Sequence, residues 1–270
     1  MKKIIFLLST CALMASCINI TVNSNDDDSV DHGAPATRVY AINGRYHELE
    51  VSHAFEVTMS DTATVATVTI DSMLHDRVVF HVDDGTLKIG LKPGTYSNIK
   101  TATVTLPLNT SLDDIELTGA SRFTSNSPLA AKKISIDLCG ASYFNGDIKN
   151  AQTVDLEVCG ASHFNGSLQP EIDKLDVELT GASTAIISGT VNVLDIDLSG
   201  ASNLDAGNLD TKTVNGDISG ASTASVLCCD AIKVDVSGAS HLTYSTVADG
   251  CTPVVDCHTS GASTVKDDRK

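Results

Sequence analysis

Carboxylate side chains recur in this chain at intervals of about twenty residues. Acidic residues stand three positions before seven of eight Gly-Ala-Ser triplets, and a second acidic column stands two positions earlier. Stacked carboxylates repel one another, and oxygen-only ligand sets suit Ca²⁺. The weak calcium candidates are Asp155, Glu157, Asp176, Glu178, Asp195 and Asp197. No DxDxDG loop or calcium-binding nonapeptide is present, so we favour a solvated acidic face with no metal and no other cofactor.

Cysteines occupy equivalent positions in adjacent repeats. Cys139 and Cys159 each precede a triplet by one residue, and Cys228 and Cys251 each precede one by ten. Stacked strands about 4.8 Å apart bring Cα atoms within disulfide range, and an envelope location permits oxidation. Both pairs are therefore candidate disulfides, with free stacked thiols as the alternative, whereas Cys229 has no equivalently placed partner.

Polar and aromatic residues follow the first triplets in an outward-facing column. A candidate contact strip consists of Arg122, Tyr143, Asn145, His163 and Asn165. The triplet serines recur eight times and cannot all be nucleophiles, and no matched histidine and aspartate accompany them. We therefore expect no catalytic residue, and we interpret the serines as a structural hydroxyl ladder, either enclosed or exposed by the bend at the glycine.

The elements that must position these residues follow from the repeat itself. The triplets begin at Gly119, Gly140, Gly160, Gly181, Gly200, Gly220, Gly238 and Gly261. The positions two and four before each glycine are mostly branched apolar residues, and they alternate with the acidic columns, as in a strand with one dry face. Like columns stacked along an axis predict an all-β fold, a right-handed single-stranded parallel β-helix (β-solenoid) with about 20 residues per coil.

The start of the chain has the pattern of a lipoprotein export signal. Lys2 and Lys3 precede an apolar run, and Met14-Ala15-Ser16-Cys17 resembles a bacterial lipobox. We predict a signal peptide over 1–16 with Cys17 as lipid anchor, and the alternative is an ordinary signal cut near Ser16.

The remaining chain divides by composition and repeat. We expect an acidic tether over 17–36, irregular coils and a cap over 37–118, and regular coils of the same β-helix over 119–270. The formal net charge of −16 argues against nucleic acid as a partner.

Three segments carry a family resemblance. They read HELEVSHAFEVTMS, DDGTLKIGLK and ATVTLPLNTSLDDIELTGAS. With the Gly-Ala-Ser coils, they resemble the putative auto-transporter adhesin head (GIN) domain family, a domain of unknown function common in lipoproteins of Bacteroidetes. The resemblance covers roughly residues 38 to 265. It implies a β-helix and an adhesin role, and it transfers no catalytic residue.

The sequence is compatible with two functions of different classes. We favour a non-catalytic lipoprotein of the bacterial outer membrane, periplasmic or on the cell surface, that serves as an adhesin or recognition scaffold. Its partners would be the membrane, through the N-terminal lipid, and an unknown protein or glycan, with self-association as a further option. The alternative is a polysaccharide-active β-helix enzyme, a lyase or hydrolase. That alternative is weakened because Lys and Arg occupy no repeating column and Trp is absent.

Overall fold

The computed structural model describes residues 31–246 and 251–268. The predicted signal peptide, Cys17 and the tether as far as residue 30 lie outside the described residues. The N-terminal part contains β1 (Pro35–Tyr40), β2 (Glu48–Val51), β3 (Glu56–Ser60), β4 (Ala66–Asp71), a 3₁₀ helix (Ser72–Arg77), β5 (Val78–Asp83), β6 (Thr86–Leu91) and β7 (Ala102–Pro107). No helix in the described part of the chain has the length and apolar character needed to cross a membrane.

The Gly-Ala-Ser part continues the strands in regular succession. Its strands are β8 (Asp114–Leu117), β9 (Arg122–Ser125), β10 (Lys133–Leu138), β11 (Tyr143–Asn145), β12 (Ile148–Lys149), β13 (Thr153–Val158), β14 (His163–Leu179), β15 (Thr184–Leu198), β16 (Asn203–Ile218), β17 (Thr223–Val236), β18 (His241–Ser245), β19 (Val254–Thr259) and β20 (Thr264–Asp267).

Neighbouring coils pair in parallel and in register across this part. Leu138 lies beside Val158, Val158 beside Leu179, and Leu179 beside Leu198. Each residue therefore lies over its counterpart one repeat away, as the sequence columns predict. The structure is a β-solenoid of about 7 turns with roughly 20 residues per turn, which confirms the predicted fold class.

The N-terminal strands do not stack in chain order. Strand β2 pairs in parallel with β8 on one side and with β6 on the other, and β3 lies between β9 and β7 in the same way. Beyond this layer, β5 pairs antiparallel with β6, β4 antiparallel with β7, and β1 antiparallel with β4. Antiparallel strands therefore cover the edges that β6 and β7 would otherwise leave open.

The core is a set of stacked apolar columns inside the coils. Phe123, Phe144 and Phe164 are fully buried, and successive ring centroids lie 5.4 and 5.0 Å apart. The positions two before the glycines from Gly119 to Gly238 are also buried, as are most of the positions four before them, including Ile136 and the residues above and below it. Because aromatic residues are scarce, branched aliphatic side chains supply most of the buried apolar area.

From Gly140 onwards, each triplet forms a corner that leaves no room for a side chain on its glycine. Gly200 has a φ of +79°, and a Cβ there would lie 2.5 Å from the carbonyl oxygen of Gly181. At the same corner, Ala201 N donates to Gly181 O at 2.7 Å. The coils approach so closely that only glycine fits this position.

The triplet serines face inward. Seven of them, from Ser121 to Ser240, are buried, while Ser263 in the last described coil is half-buried. The hydroxyl of Ser142 donates to Cys139 O at 2.8 Å, and Ser202 donates to the hydroxyl of Ser222 at 3.1 Å. Of the two arrangements that the sequence leaves open, the structure has the enclosed ladder. Its hydroxyls bond to backbone groups and to each other, except that Ser183 Oγ has no partner.

Two disulfides in the described part of the chain both join adjacent coils, and one of them differs from the prediction. Cys139 is bonded to Cys159, with Cα atoms 4.8 Å apart. The predicted Cys228–Cys251 pair is wrong, because Cys251 is bonded to Cys229. Strand alternation turns Cys228 into the core, where its Sγ lies 3.2 Å from both Lys212 O and Ala231 O. The neighbouring Cys229 faces outward, towards the segment that carries Cys251.

Candidate functional site

One outer face of the solenoid carries a continuous acidic column, which we call the acidic ladder. Along the axis its register positions are occupied by Lys88, Glu50, Glu116, Asp137, Glu157, Glu178, Asp197, Asp217, Asp235 and His258. Lys88 Nζ lies 3.5 Å from Glu50 Oε2 at one end, and His258 Nδ1 lies 3.3 Å from Asp235 Oδ1 at the other. Basic groups therefore stand at both ends of the ladder.

Three carboxylates of the second acidic column pair with lysines. Lys133 Nζ lies 2.7 Å from Asp155 Oδ2, and Lys174 Nζ lies 2.6 Å from Asp176 and 2.9 Å from Asp195. Sequence reasoning missed this pairing, although Lys133 and Lys174 both stand seven positions before a triplet glycine. These lysines therefore offset part of the negative charge of the second column, while Glu157 and Glu178 in the ladder beside it have no lysine partner among the described ion pairs.

Crowding in the ladder favours the protonated form of its carboxyls. Partial burial, followed by the charges of Glu157, Asp114, Glu116 and Asp155, raises the pKa of Asp137 to about 6. Partial burial first, and neighbouring carboxylates second, also raise the pKa values of Glu116 and Glu178. These three carboxyls therefore bind a proton more tightly than an isolated carboxyl does.

A groove of about 610 Å³ runs along this face between the two acidic columns. All six weak calcium candidates line it, from Asp155 to Asp197. Within the described residues, no three histidine, cysteine or acidic side chains converge in a geometry that could hold a metal ion. The acidic side chains are spread along the axis rather than gathered around one point, so the groove is suited to an extended cationic surface.

The predicted contact strip forms a stacked row on another face. Arg122, Tyr143 and His163 lie side by side in β9, β11 and β14. The guanidinium carbon of Arg122 lies 5.2 Å from the centroid of the Tyr143 ring, and the rings of Tyr143 and His163 are 6.3 Å apart. A cation over an aromatic face is attractive, so the three side chains support one another in outward positions.

The two asparagines of the strip are also brought together. Asn165 Nδ2 donates to Asn145 Oδ1 at 2.7 Å, and Ser167 Oγ donates to Asp147 Oδ1 at 2.6 Å beside them. These side chains line a shallow depression of about 280 Å³. The strip thus offers aromatic, cationic and amide groups next to a concave polar surface, which is a composition suited to contact with a protein or a glycan.

The fold and these faces define a class of protein: a β-solenoid whose stacked coils present rows of side chains on a rigid surface. Residues 45–248 match the family described as "Putative auto-transporter adhesin, head GIN domain". The match covers well over half of the chain, and the chain belongs to this family, as its sequence motifs indicate. No curated protein matches the sequence.

Solved structures share the fold at low sequence identity. A putative adhesin from Parabacteroides merdae superposes with a TM-score of 0.77 and 19% identity, over 87% of this chain and 96% of that one. A putative adhesin from Parabacteroides distasonis gives 0.76 and 20%, over 88% and 98%. A third structure, a putative lipid binding protein from Parabacteroides distasonis, gives 0.67 and 20%, over 87% and 97%. These similarities establish the fold.

Proposed function

We propose that the protein is a non-catalytic lipoprotein of the bacterial outer membrane, periplasmic or on the cell surface, that serves as an adhesin or recognition scaffold. Family membership and the names of the structural relatives support the adhesin role. The lipobox-like segment ending at Cys17 supports the anchor. In this proposal the coils act as a stiff support, and recognition depends on side chains that the coils hold in rows.

The observation that carries the proposal is the stacked row of Arg122, Tyr143 and His163. Arginine and tyrosine dominate the binding energy of many protein interfaces because they bury large areas and lose little conformational freedom. Here adjacent coils already hold the three side chains against one another. Preorganisation of this kind lowers the entropy cost of binding. We propose that the row is the contact surface for a protein or glycan ligand.

The recognition role is tested with an array of immobilised proteins and glycans, probed with the full chain carrying Cys17→Ser to avoid lipid-driven adsorption. We expect binding to at least one array component, reduced about tenfold or more by Arg122→Ala or Tyr143→Ala. Asn203→Ala is the matched control, because Asn203 is exposed and occupies the same outward column in a coil beyond the strip. Equal loss in all three variants, or none, would refute the strip as the contact surface.

The same experiment separates the scaffold from the enzyme. Uronic-acid and neutral polysaccharides on the array are also incubated in solution and analysed for shortened products. The proposal predicts binding without chain cleavage. Turnover that disappears on replacement of a single carboxylate, such as Asp197→Asn, would establish the lyase or hydrolase alternative and overturn the proposal.

The anchor is tested in cells. We expect the wild-type protein to remain with the membrane fraction and Cys17→Ser to be recovered in the soluble fraction. Proteolysis of intact cells then distinguishes a cell-surface position from a periplasmic one. Membrane association that does not depend on Cys17 would contradict the lipoprotein proposal.

A further inference from the structure

The shallow depression beside the contact strip is lined by hydrogen-bonding side chains from adjacent coils. Register pairing places Asn145 of β11 beside Asn165 of β14, and Asn165 beside Ile186 of β15. Pockets for drug-sized ligands measure about 300–1,000 Å³. The depression, at about 280 Å³, is therefore of a size for a single small ring. The side chains that line it include Asn145, Asp147, Asn165, Ser167, Ile186 and Ser188.

Hydrogen bonds between coils fix the polar side chains of the depression. Asn165 Nδ2 donates to Asn145 Oδ1 at 2.7 Å. Asp147 Oδ1 accepts from Ser167 Oγ at 2.6 Å and from Ser167 N at 3.3 Å. Because these side chains are already held in place, a ligand loses less free energy in ordering them when it binds.

The same side chains leave polar atoms available to a ligand. In the part of the chain that the structure describes, Asn145 Nδ2, Asn165 Oδ1, Asp147 Oδ2 and the hydroxyl of Ser188 have no hydrogen-bond partner. The amide nitrogen is a donor, the carbonyl and carboxylate oxygens are acceptors, and the hydroxyl is both. Ile186, which lines the same depression, is 48% exposed. The depression therefore combines free donors, free acceptors and one apolar side chain.

We propose that this depression binds one residue of a neutral oligosaccharide. A sugar residue has hydroxyls that donate and accept, and C–H groups on its ring faces that can pack against Ile186. A hydroxyl donating to the Asp147 carboxylate forms a charge-assisted hydrogen bond, which is stronger than a neutral one. Among the described residues that line the depression, Asp147 alone is charged. A uronic-acid residue would bring a second carboxylate beside it, so the site disfavours acidic sugars.

The Arg122–Tyr143–His163 row borders the depression and extends the site. Tyr143 and Asn145 are two residues apart in β11 and point outwards from the same strand, about 7 Å apart. The next sugar residue would therefore lie over the row. Tight protein contacts depend on large buried aromatic and arginine anchors, whereas the depression adds mainly small polar groups to the row. The inference rests on the proposed recognition role and names its ligand as a glycan.

The inference is tested by isothermal titration calorimetry on the full chain carrying Cys17→Ser. The probes are neutral trisaccharides of glucose, galactose, mannose and N-acetylglucosamine, with trigalacturonate as the acidic comparison. We expect at least one neutral trisaccharide to bind more tightly than trigalacturonate. Asp147→Asn should raise its dissociation constant about tenfold and narrow the difference from trigalacturonate, because the charge is lost. Ser188→Ala should raise it about fivefold, because one hydrogen bond to the sugar is lost.

Asp205→Asn and Ser225→Ala are the matched controls. Both residues point outwards in the column of Asn145, Asn165 and Ile186, but in coils beyond the depression. Asp205 Oδ1 also accepts from the backbone N–H two residues later, so its replacement removes a comparable local contact. Both controls should keep the affinity of the starting chain, and circular dichroism should show that all four variants fold.

The outcomes separate this inference from the recognition role on which it rests. Absence of binding by every neutral trisaccharide would overturn the inference, as would equal losses in the Asp147 and Asp205 variants. Trigalacturonate binding as tight as the neutral probes would also overturn it. Array binding confined to proteins and weakened by Tyr143→Ala would overturn the inference and leave the recognition role standing. An array on which no component binds would overturn both.

Discussion

The corners of the regular coils differ from the corner of the N-terminal layer formed by β2 and β3. In the regular coils the triplet corner has a glycine with positive φ, and from Gly140 onwards this glycine stacks on the glycine of the coil before. In the β2–β3 layer the corresponding corner contains His53 and Ala54, with φ values of +62° and +60°. Both corners therefore use left-handed backbone, but only one of them excludes a side chain.

The difference shows that close stacking, rather than the turn alone, demands glycine. A Cβ on Gly119 would lie 3.6 Å from His53 N, which is an ordinary contact, whereas a Cβ on Gly140 would lie 2.3 Å from Gly119 O. The residue at the inward-facing position after the corner also differs between the two regions. Phe55 occupies it in the β2–β3 layer, and Ser121 occupies it in the next coil, with both carbonyls accepting a bond from the strand above. The N-terminal layer is thus filled by an aromatic side chain, and the regular coils by hydrogen-bonded hydroxyls.

The largest expected effect on stability comes from adding a methyl group to the glycine at a corner. Two corners with the same left-handed backbone are compared. Gly200→Ala should destabilise the protein by about 4 kcal/mol, because left-handed strain adds to a displacement of the Gly181 backbone. In Gly119→Ala only the left-handed backbone strain applies, so the free energy of unfolding should fall by about 1–2 kcal/mol. Urea denaturation followed by circular dichroism measures both. Equal losses at the two corners would mean that stacking distance does not distinguish them.

The second-largest expected loss of stability comes from removing a disulfide between regular coils. The N-terminal region has no counterpart to this bond, because residues 31–118 contain no cysteine. Cys139→Ser with Cys159→Ser removes a bond that closes a loop of 20 residues in sequence separation. The chain-entropy estimate for such a loop is about 3 kcal/mol of lost stability. Cys257→Ser removes a free thiol and should cost much less. The comparison is made by denaturation of both variants under oxidising conditions.

The acidic ladder differs between the regions because Lys88 lies beside Glu50 in the N-terminal layer, while Asp137 has carboxylates on both sides. The folded-state pKa of Asp137, about 6, lies above its ordinary value, so the folded state holds this proton more tightly. Its contribution is therefore favourable at low pH and is lost as pH rises through about 6. At pH 8 Asp137→Asn should stabilise the fold by about 1–2 kcal/mol, allowing for partial solvent screening, and this gain should disappear in acid.

The control for this prediction is Asp155→Asn, which removes the partner of Lys133 and should not stabilise the protein at pH 8. Thermal melts of both variants between pH 4 and pH 8 provide the measurement. A gain for Asp137→Asn that is independent of pH would show that its cause is packing and not charge.

The smallest effect lies in the serine ladder itself. Ser142→Ala removes a bond to Cys139 O and should cost about 1 kcal/mol. The hydroxyl oxygen of Ser183 is buried and has no hydrogen-bond partner, so Ser183→Ala should be neutral or slightly stabilising. Denaturant midpoints of the two variants measure the difference. A loss at Ser183 as large as that at Ser142 would indicate a bond that the ladder geometry does not contain.

The sequence predicts the regular coils because each repeat meets only copies of itself. For example, the residues four positions before three successive triplet glycines are Ile136, Leu156 and Val177. These residues lie side by side in the fold. The pairing of the β2–β3 layer could not be predicted in this way, because its neighbours β6 and β7 come from a later part of the chain that lacks the triplet. Residue counting likewise misplaced the second disulfide, because strand alternation along β17 sends Cys228 into the core and leaves Cys229 to bond with Cys251.

For the candidate faces, the columns place Arg122, Tyr143 and His163 in one row, but counting alone does not reveal which charges are neutralised. Lys133 and Lys174 stand in a column shared with uncharged residues, so their pairing with Asp155 and Asp176 becomes visible only with the side-chain geometry.

The central claim is that successive coils stack in register, and the cysteines report it without any substitution. Mass spectrometry of unreduced proteolytic fragments, after equilibration in an oxidising glutathione buffer, identifies every link between cysteines. The account predicts links joining Cys139 to Cys159 and Cys229 to Cys251, with Cys228 and Cys257 recovered as free thiols. A link from Cys139 to any residue other than Cys159 would contradict the stacking on which the fold and the faces depend.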